Sequence, residues 1–219
     1  IAEATKVIEN VQRDINIALV NELAQIFPEL NLDVEQVLIA ASTKWNFHRY
    51  TPGIGVGGHC IPVDPYYMMQ RAQEVGVPSE LITAARAVNR MMPKHVSGVL
   101  RELLYRSNVP FEDGKVLFLG WSYKPSVGDA RQTPAEPLAT SLIESGISVS
   151  VWDPYIKASQ IDLEVEMIED IESIEGYDLV ILITAHPECI NLNWEKILQS
   201  MRTPILYDGR RALNLEQLS

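Results

Sequence analysis

The period of the hydrophobic pattern changes part of the way along this 219-residue chain, and that change limits the folds it can adopt. Over residues 2–27, apolar side chains recur at steps of three and four, Ile8, Val11 and Ile15 among them. This spacing predicts a helix with one buried stripe. From residue 115 the pattern changes to short β-rich runs separated by helical or turn segments. We therefore expect an all-helical first half followed by an α/β second half.

The first half contains further helical segments. A second helix is predicted to begin after Asp33, which is a suitable N-cap residue. Helical patterning resumes over residues 65–75 and again from residue 79 to about residue 105, the longer segment being predicted as one helix bent at Pro93. Segment 107–114 combines a proline, a glycine and an acidic pair, so we expect the domain boundary there.

Four runs in the second half have the composition of β-strands. They are KVLFLG (115–120), SVSVWD (148–153), DLVILIT (178–184) and PILYD (204–208). Strands that alternate with helices form a parallel sheet with crossover helices. The expected fold class is α/β overall, with an all-helical domain over residues 1–106 and a Rossmann-like parallel α/β domain over residues 110–219.

The net charge and the hydropathy pattern argue against several functional classes. A formal charge of −11 argues against binding to nucleic acids or to an anionic membrane surface, because both usually require positive surface. No apolar run reaches the ~18 residues of a membrane-spanning helix, and the first residues lack the basic and apolar regions of a signal peptide. We therefore expect a cytoplasmic protein.

The two cysteines, Cys60 and Cys189, lie in very different sequence contexts, so a disulfide framework is not expected. His59 precedes Cys60, but no second pair of ligands at metal-site spacing accompanies them. We therefore predict no metal site.

Residues 42–62 lose all periodicity and contain four glycines and two prolines, which predicts a long irregular loop. Loops of this length are uncommon and often functional. The glycines let the backbone approach a ligand closely, and the thiolate of Cys60, directly after them, could be stabilised by N–H groups there. A helical turn begun at Pro62 would bring the carboxylate of Asp64 back toward the thiol. A thiol beside a general base suits covalent attack on an activated carbonyl; the alternative is a glycine-rich hinge around a buried, inert cysteine.

Lys6 and Asn10 are four residues apart on the first predicted helix, and Asp14 continues the row. The lysine and the asparagine could donate hydrogen bonds to a developing oxyanion. The alternative interpretation of the row is a solvated polar face.

Basic residues follow the first and last predicted strands of the second half. Lys124 and Arg131 lie in the turn after the first strand and Arg210 follows the last, so all three are expected at the edge of the sheet where phosphates bind. No G-x-G-x-x-G stands between a strand and a helix, and GIGVGG over residues 53–58 follows no strand. This half is therefore predicted to bind a nucleotide other than NAD.

Four motifs, in this order, resemble the UDP-glucose/GDP-mannose dehydrogenase family. They are AEATKVIENVQRDINIALVNEL (2–23), GVGGHCIPVDPYY (55–67), LGWSYKPSVGDARQTPA (119–135) and LYDGRR (206–211). His59 and Val63 stand where the enzymes that act on glucose usually carry a small or aromatic residue and a lysine. The chain therefore resembles the branch that acts on UDP-N-acetylhexosamines.

The resemblance implies a four-electron oxidation of the C6 alcohol of the sugar to a carboxylate, with two NAD⁺ used in succession, in the biosynthesis of nucleotide sugars and surface polysaccharides. Cys60 would attack the aldehyde, and the resulting thiohemiacetal would lose hydride to become a thioester. Lys6 and Asn10 would stabilise the oxyanion. Asp64, together with Lys6, would manage protons and the hydrolytic water.

The same resemblance implies the substrate contacts. The loop that begins at Thr51 would hold the sugar diphosphate through backbone amides, at Thr51, Gly53, Gly55 and Gly57. Lys124 and Arg210 would hold the UDP-sugar, and Arg131 would reach the cofactor. Lys44 stands where the family places a basic residue that enters the partner subunit's site.

The family also has an N-terminal NAD-binding Rossmann domain, which these 219 residues do not contain. The resemblance therefore implies a fragment that is inactive alone, with NAD bound mainly by the missing domain. It also implies a homodimer formed through the first helix, with higher oligomers left open. Two alternatives remain: a non-catalytic nucleotide-sugar-binding and dimerisation module, and a dehydrogenase of the hydroxyacid or 6-phosphogluconate type, which would not need the Cys60 loop.

Overall fold

The computed structural model describes residues 1–214, apart from the side chain of residue 173; the end of the predicted second domain, residues 215–219, lies outside the described residues. The chain divides into two compact units, Ile1–Met92 and Pro93–Ser219. This division falls inside a helix, upstream of segment 107–114. The domain ranges 1–106 and 110–219 remain a prediction.

The first unit is helical, as predicted. Its helices are α1 (Ala2–Glu29), α2 (Val34–Ala41), α3 (Asp64–Glu74) and the first part of α4 (Glu80–Arg106), which continues into the second unit. Helix α1 extends two residues beyond the predicted range and includes Pro28 in its last turn. Helix α4 continues through Pro93 as one element.

Helix α2 begins at the predicted cap. The side chain of Asp33 accepts a hydrogen bond from the backbone N–H of Gln36 at 2.9 Å, which satisfies one of the free donors of the first turn. Val34 and Leu38 on α2 pack against Val20 on α1 in a small buried core. This packing fixes the start of the long irregular segment that follows α2.

The irregular segment between α2 and α3 contains no helix and no strand, as predicted. Its middle is nevertheless anchored, because Ile54 is only 1% exposed and Pro52 is also buried. The glycine-rich loop that leads to Cys60 is therefore attached to the helical core rather than extended into solvent.

The second unit contains a five-stranded sheet. The strands are β1 (Lys115–Leu119), β2 (Ser148–Trp152), β3 (Glu166–Met167), β4 (Leu179–Leu182) and β5 (Ile205–Asp208). Every pairing is parallel and the order is β3-β2-β1-β4-β5, which confirms the predicted parallel α/β arrangement. Strand β3 is not among the predicted strands, because a two-residue strand is too short to show a periodic pattern. Helices α5 (Ala135–Ile143), α6 (Pro187–Ile190) and α7 (Trp194–Ser200) complete the unit.

The two central strands carry the core of this unit. All of β4, and all of β1 except Lys115, is buried, as expected for strands covered on both faces. The strand order reverses between β1 and β4, and in open parallel sheets the ligand crevice lies outside the carboxyl ends of the strands at such a reversal. The turns that leave β1 and β4 are therefore the expected place for a nucleotide site.

Within residues 1–214, no helix has both the length and the apolar character needed to cross a membrane. The same residues contain no cluster of three or more His, Cys, Asp or Glu side chains that could hold a metal ion.

Candidate functional site

The loop before α3 presents Cys60 at the surface of the first unit. Gly58 has a φ of +96°, a left-handed conformation that glycine adopts without strain. The Cys60 carbonyl then accepts hydrogen bonds from the N–H groups of Val63 at 3.0 Å and Asp64 at 2.8 Å. This turn places Asp64 as the first residue of α3, so the prediction of a helix begun at Pro62 was wrong by two residues. Cys60 is exposed, so the expectation of a buried cysteine in the alternative interpretation is wrong.

Asn10 and Asp64 come together, although 54 residues separate them in sequence. The Nδ2 atom of Asn10 donates to Oδ2 of Asp64 at 2.6 Å. Asn10 is 6% exposed and lies on the buried side of α1. Since an amide nitrogen carries two N–H groups, one donor of Asn10 is left over from this bond.

Lys6 lies one turn before Asn10 on α1 and is exposed. Its Nζ pairs with Glu9 Oε2 at 2.9 Å. The hydrogen bond that Lys6 donates to Glu9 and the negative charge of Glu9 raise the pKa of Lys6.

A buried polar network holds the glycine-rich loop against α1. The N–H of Gly53 donates to Oδ1 of Asn21 at 2.9 Å, and Nδ2 of Asn21 donates to Oδ1 of Asn89 at 2.9 Å. Nδ2 of Asn89 in turn donates to Oδ1 of Asp14 at 2.8 Å. Asp14 also accepts from Arg86 at 2.6 Å. The N–H of Gly53 is thus already bonded, so this residue contributes to the loop by fixing its position.

The sequence pattern alone does not reveal this network. Asn10, Asp14 and Asn21 recur at steps of four and seven, which places them on one face of α1. Of the predicted row Lys6, Asn10 and Asp14, Asn10 is 6% exposed and Asp14 is 0% exposed, so the alternative of a solvated face is wrong at these two positions. Asn21 is also 0% exposed. Burial raises the pKa of Asp14, against the lowering effects of Arg86 and Asn89.

Lys44, the remaining predicted site residue of this unit, is exposed in the turn after α2. A groove of about 1000 Å³ runs along α3, the turn that follows it and the first turn of α4, and none of the predicted site residues line it.

In the second unit, the turn after β1 is organised by Asp153, which follows β2. Oδ2 of Asp153 accepts from the N–H of Trp121 at 2.7 Å and of Ser122 at 3.0 Å, while Oδ1 accepts from the N–H of Tyr155 at 2.8 Å. Burial alone would raise the pKa of Asp153, but hydrogen bonds from His186 and from these backbone groups lower it to about 2. Asp153 is therefore a charged structural anchor for the turn.

His186, which follows β4, contacts the same turn. Its Nε2 lies 2.9 Å from Ser122 Oγ and 3.2 Å from Asp153 Oδ2, and its Nδ1 accepts from the N–H of Ser126 at 3.0 Å. A serine, a histidine and an aspartate are also the residues of a hydrolase triad, in which the serine and the aspartate contact opposite nitrogens of the ring. Here Ser122 and Asp153 both contact Nε2. His186 is 0% exposed and Ser122 is 1% exposed, so this arrangement is structural.

The predicted phosphate-binding residues are on the turns after β1 and β5. Lys124 is exposed in the turn after β1. Arg131 is exposed, and its guanidinium makes two hydrogen bonds to Asp129, at 3.0 and 2.9 Å. Arg210 is half-buried, and burial lowers its pKa while Asp208 raises it. The carboxylate of Asp208 accepts from the N–H of Arg210 at 2.9 Å, which fixes the turn that carries this residue.

Each unit can therefore perform a different kind of chemistry. The first combines an exposed thiol, a carboxylate bonded to an amide, and a lysine. The second presents cationic side chains at the edge of the sheet where anions bind in parallel folds. Arg131, the residue assigned to the cofactor, has its guanidinium on Asp129, and no strand leads into the G-x-G-x-x-G of a dinucleotide site.

Two sequence profiles match the chain. Residues 1–91 match the UDP-glucose/GDP-mannose dehydrogenase family, central domain, and residues 117–215 match the UDP binding domain of the same family. Together they cover most of the chain and both units.

Individual relatives agree with this match. The chain is 41% identical to a UDP-N-acetyl-D-glucosamine 6-dehydrogenase of Pseudomonas aeruginosa over 216 residues, which are 98% of this chain and 51% of the relative. It is 37% identical to a UDP-N-acetyl-D-mannosamine dehydrogenase of Pyrococcus horikoshii, over 97% of this chain and 48% of the relative. A solved structure of UDP-D-ManNAc dehydrogenase from Pyrococcus horikoshii superposes with a TM-score of 0.87 at 35% identity, over 97% of this chain and 49% of that one. The chain thus spans about half the length of the relatives it matches.

Proposed function

The chain belongs to the UDP-glucose/GDP-mannose dehydrogenase family, and we propose that it carries the catalytic thiol and UDP-sugar-binding residues of a UDP-N-acetylhexosamine 6-dehydrogenase. The main support is the hydrogen bond between Asn10 and Asp64 at the start of α3, four residues after the exposed Cys60. This contact places the amide of Asn10 and the carboxylate of Asp64 at the start of the helix that follows the thiol of Cys60. The proposed branch of the family is that of the relatives named above.

The proposed reaction is R–CH₂OH + 2 NAD⁺ + H₂O → R–COO⁻ + 2 NADH + 3 H⁺. When bound, NAD⁺ accepts one hydride in each of the two oxidation steps. In the first step the C6 alcohol loses a proton and a hydride and becomes an aldehyde. The residues of this chain act on the aldehyde and on the thioester formed from it.

The thiolate of Cys60 donates an electron pair to the aldehyde carbon, and a C–S bond forms as the carbonyl oxygen becomes an oxyanion. Asn10 donates its second N–H to that oxyanion, while Lys6 supplies positive charge. Loss of the second hydride converts the thiohemiacetal to a thioester.

The hydrolysis step uses Asp64. Its carboxylate, held by Asn10, accepts a proton from the water that attacks the thioester carbon, and Lys6 assists in the proton transfer. The C–S bond then breaks, the carboxylate product leaves and the thiolate of Cys60 is restored. Thr51, Gly55 and Gly57 of the preceding loop contact the substrate, and Gly53 pins that loop to Asn21.

The second unit holds the UDP group in this proposal. Lys124 and Arg210 neutralise the phosphates, and charge-assisted bonds of this kind are the stronger class of hydrogen bond. This local positive charge acts against a chain that carries a net charge of −11. Selectivity for UDP-sugars therefore depends on a few side chains rather than on a basic surface.

We assign NAD binding mainly to a domain that these 219 residues do not contain. Arg131 contacts the cofactor in this proposal, after its guanidinium has left Asp129. On this assignment the chain alone binds substrate but does not turn it over. We further propose a homodimer formed through α1, in which Lys44 enters the partner's site. Ile8, Leu19 and Ile26 of α1 are each about half exposed, which supports a contact along this helix.

Calorimetric titration of the chain with UDP-N-acetylglucosamine, UDP-N-acetylmannosamine and UDP-N-acetylgalactosamine tests the binding role. At least one should bind, and Lys124→Met and Arg210→Met should each weaken binding by about tenfold or more, the loss expected for one charged contact. Lys115→Met is the matched control, because Lys115 lies at the opposite end of β1. Failure of every UDP-sugar to bind, or equal losses in all three variants, would contradict the proposal.

A further inference from the structure

We propose that His186 is a positioning residue for nucleotide binding: its imidazole joins both ends of the turn Ser122–Ser126, which presents Lys124 at the sheet edge. This inference rests on the proposed UDP-binding role of Lys124. It adds a residue outside the recognised motifs, one that is not itself placed to touch the ligand.

The polarity of the hydrogen bonds determines the state of the ring. The carbonyl of Lys124 can only accept, so the hydroxyl of Ser122 donates to it at 3.2 Å. The Ser122 oxygen is then free to accept from Nε2–H of His186 at 2.9 Å. The N–H of Ser126 can only donate, so Nδ1 is the acceptor at the other side of the ring. His186 is therefore neutral, with its proton on Nε2.

This arrangement requires a side chain with a donor and an acceptor on opposite sides of one rigid ring. Ser126 has a φ of +58°, a left-handed conformation that is unfavourable for a residue other than glycine. The bond from its N–H to Nδ1 helps to stabilise that conformation. At the other end of the turn, Asp153 holds Nε2 of the ring as well as the N–H groups of Trp121 and Ser122.

The packing around His186 keeps the ring in place. It is fully buried, and the ring of Tyr155 lies against it with centroids 5.0 Å apart. Because ring and turn are fixed before a ligand arrives, less conformational entropy is lost when a phosphate binds to Lys124. His186 thus affects affinity through the position of Lys124 and of its neighbouring backbone.

Three variants of His186 separate its two contacts. His186→Phe keeps most of the ring volume and removes both hydrogen bonds. His186→Asn keeps an acceptor near the position of Nδ1, and His186→Gln keeps a polar group near that of Nε2. Cys189→Ala is the control, because it perturbs another fully buried side chain close in sequence without removing a bond to the turn. Ser122→Ala removes one contact more mildly, in case His186→Phe does not fold.

The measurements are hydrogen exchange of the amides of residues 122–126 and the UDP dissociation constant. We expect His186→Phe to speed exchange of the Ser126 amide and to weaken UDP binding by about tenfold. Compared with His186→Phe, His186→Asn should show slower exchange of the Ser126 amide and tighter UDP binding, since its acceptor can hold Ser126. Cys189→Ala should leave the exchange rate and the UDP affinity unchanged. Ser122→Ala should weaken UDP binding to a smaller extent.

Two results would overturn the inference: wild-type exchange of Ser126 in a folded His186→Phe chain, or equal loss of UDP affinity in His186→Asn, His186→Phe and Cys189→Ala. If the unaltered chain binds no UDP, the proposed function fails by itself. The exchange measurements then still decide whether His186 holds the turn.

Discussion

The Nδ2 atom of Asn10 donates a hydrogen bond to Oδ2 of Asp64 across 2.6 Å, which links α1 to the first residue of α3. Removal of the amide leaves a half-buried carboxylate without this donor. Asn10→Ala should therefore lower the free energy of unfolding by about 1.5–3 kcal/mol, the usual contribution of a hydrogen bond to a charged group. Urea denaturation of the chain measures this change.

Gln12→Ala is the control for that experiment, because Gln12 is exposed on the same helix. It should change the free energy of unfolding by no more than about 0.5 kcal/mol. Equal values for Asn10→Ala and Gln12→Ala would show that the Asn10–Asp64 bond contributes nothing to the fold.

Asn21 fixes the glycine-rich loop through the N–H of Gly53. Asn21→Ala should release that amide, speed its hydrogen exchange and lower the affinity for UDP-N-acetylhexosamines. Glu22→Ala, at the next and exposed position of α1, should leave both quantities unchanged. Slow exchange of the Gly53 amide in Asn21→Ala would mean that another contact holds the loop.

Asp153 predicts a pH dependence of stability. Its pKa is about 2 in the folded chain against an ordinary value of 3.8. Between these values the unfolded chain binds more protons than the folded one, so the free energy of unfolding falls as the pH decreases. The contribution is complete above about pH 5 and amounts to about 2 kcal/mol, most of which is lost as the pH falls to about 2.

The test compares urea unfolding of the wild type and of Asp153→Asn at several values between pH 2 and pH 5. Asp153→Asn should be less stable at pH 5, and its stability should fall less steeply toward pH 2. Parallel pH profiles for the two proteins would contradict the assignment of a low pKa to Asp153.

Gly120, directly after β1, allows the backbone to approach Thr184, two residues after β4, closely. A Cβ atom at this position would lie 2.5 Å from Cβ of Thr184, and the residue has a φ of +88°. Gly120→Ala should therefore lower the free energy of unfolding by about 3 kcal/mol, from overpacking together with the left-handed backbone. Thermal denaturation should show a clear fall in Tm.

Gly98→Ala gives the opposite expectation. Gly98 lies inside α4 with nothing within 4 Å of a Cβ atom added there, so alanine should stabilise the chain by up to about 1 kcal/mol. If Gly120→Ala were as stable as Gly98→Ala, the close approach of the turn after β1 to Thr184 would be wrong.

Much of the fold could be predicted from local pattern. The four helices of the first half, the Asp33 cap and the four longer strands all have a clear period or end signal. The two-residue strand β3 has none, because its pairing with β2 depends on the tertiary fold.

Part of the candidate site could likewise be predicted from local sequence, and part depends on tertiary contacts. The sequence places Asn10 and Asp14 on one face of α1, but spacing along a helix does not distinguish a buried face from a solvated one. The partners of Asp14 and Asn21 lie on α4, about 70 residues away in sequence. Sequence alone assigns His186 only to the end of a strand, because the two contacts that give it a role come from a different turn.

The reactivity of Cys60 tests the central claim most directly. The chain should be treated with iodoacetamide, and modification of each cysteine followed by mass spectrometry. Cys60 is exposed, whereas Cys189 is buried with a pKa raised to about 12, so Cys189 serves as the internal control and should stay unmodified. A UDP-N-acetylhexosamine should slow the modification of Cys60 by at least about tenfold, while the free N-acetylhexosamine should not. Modification of Cys60 at the same rate with and without saturating UDP-N-acetylhexosamine would contradict its role as the catalytic thiol.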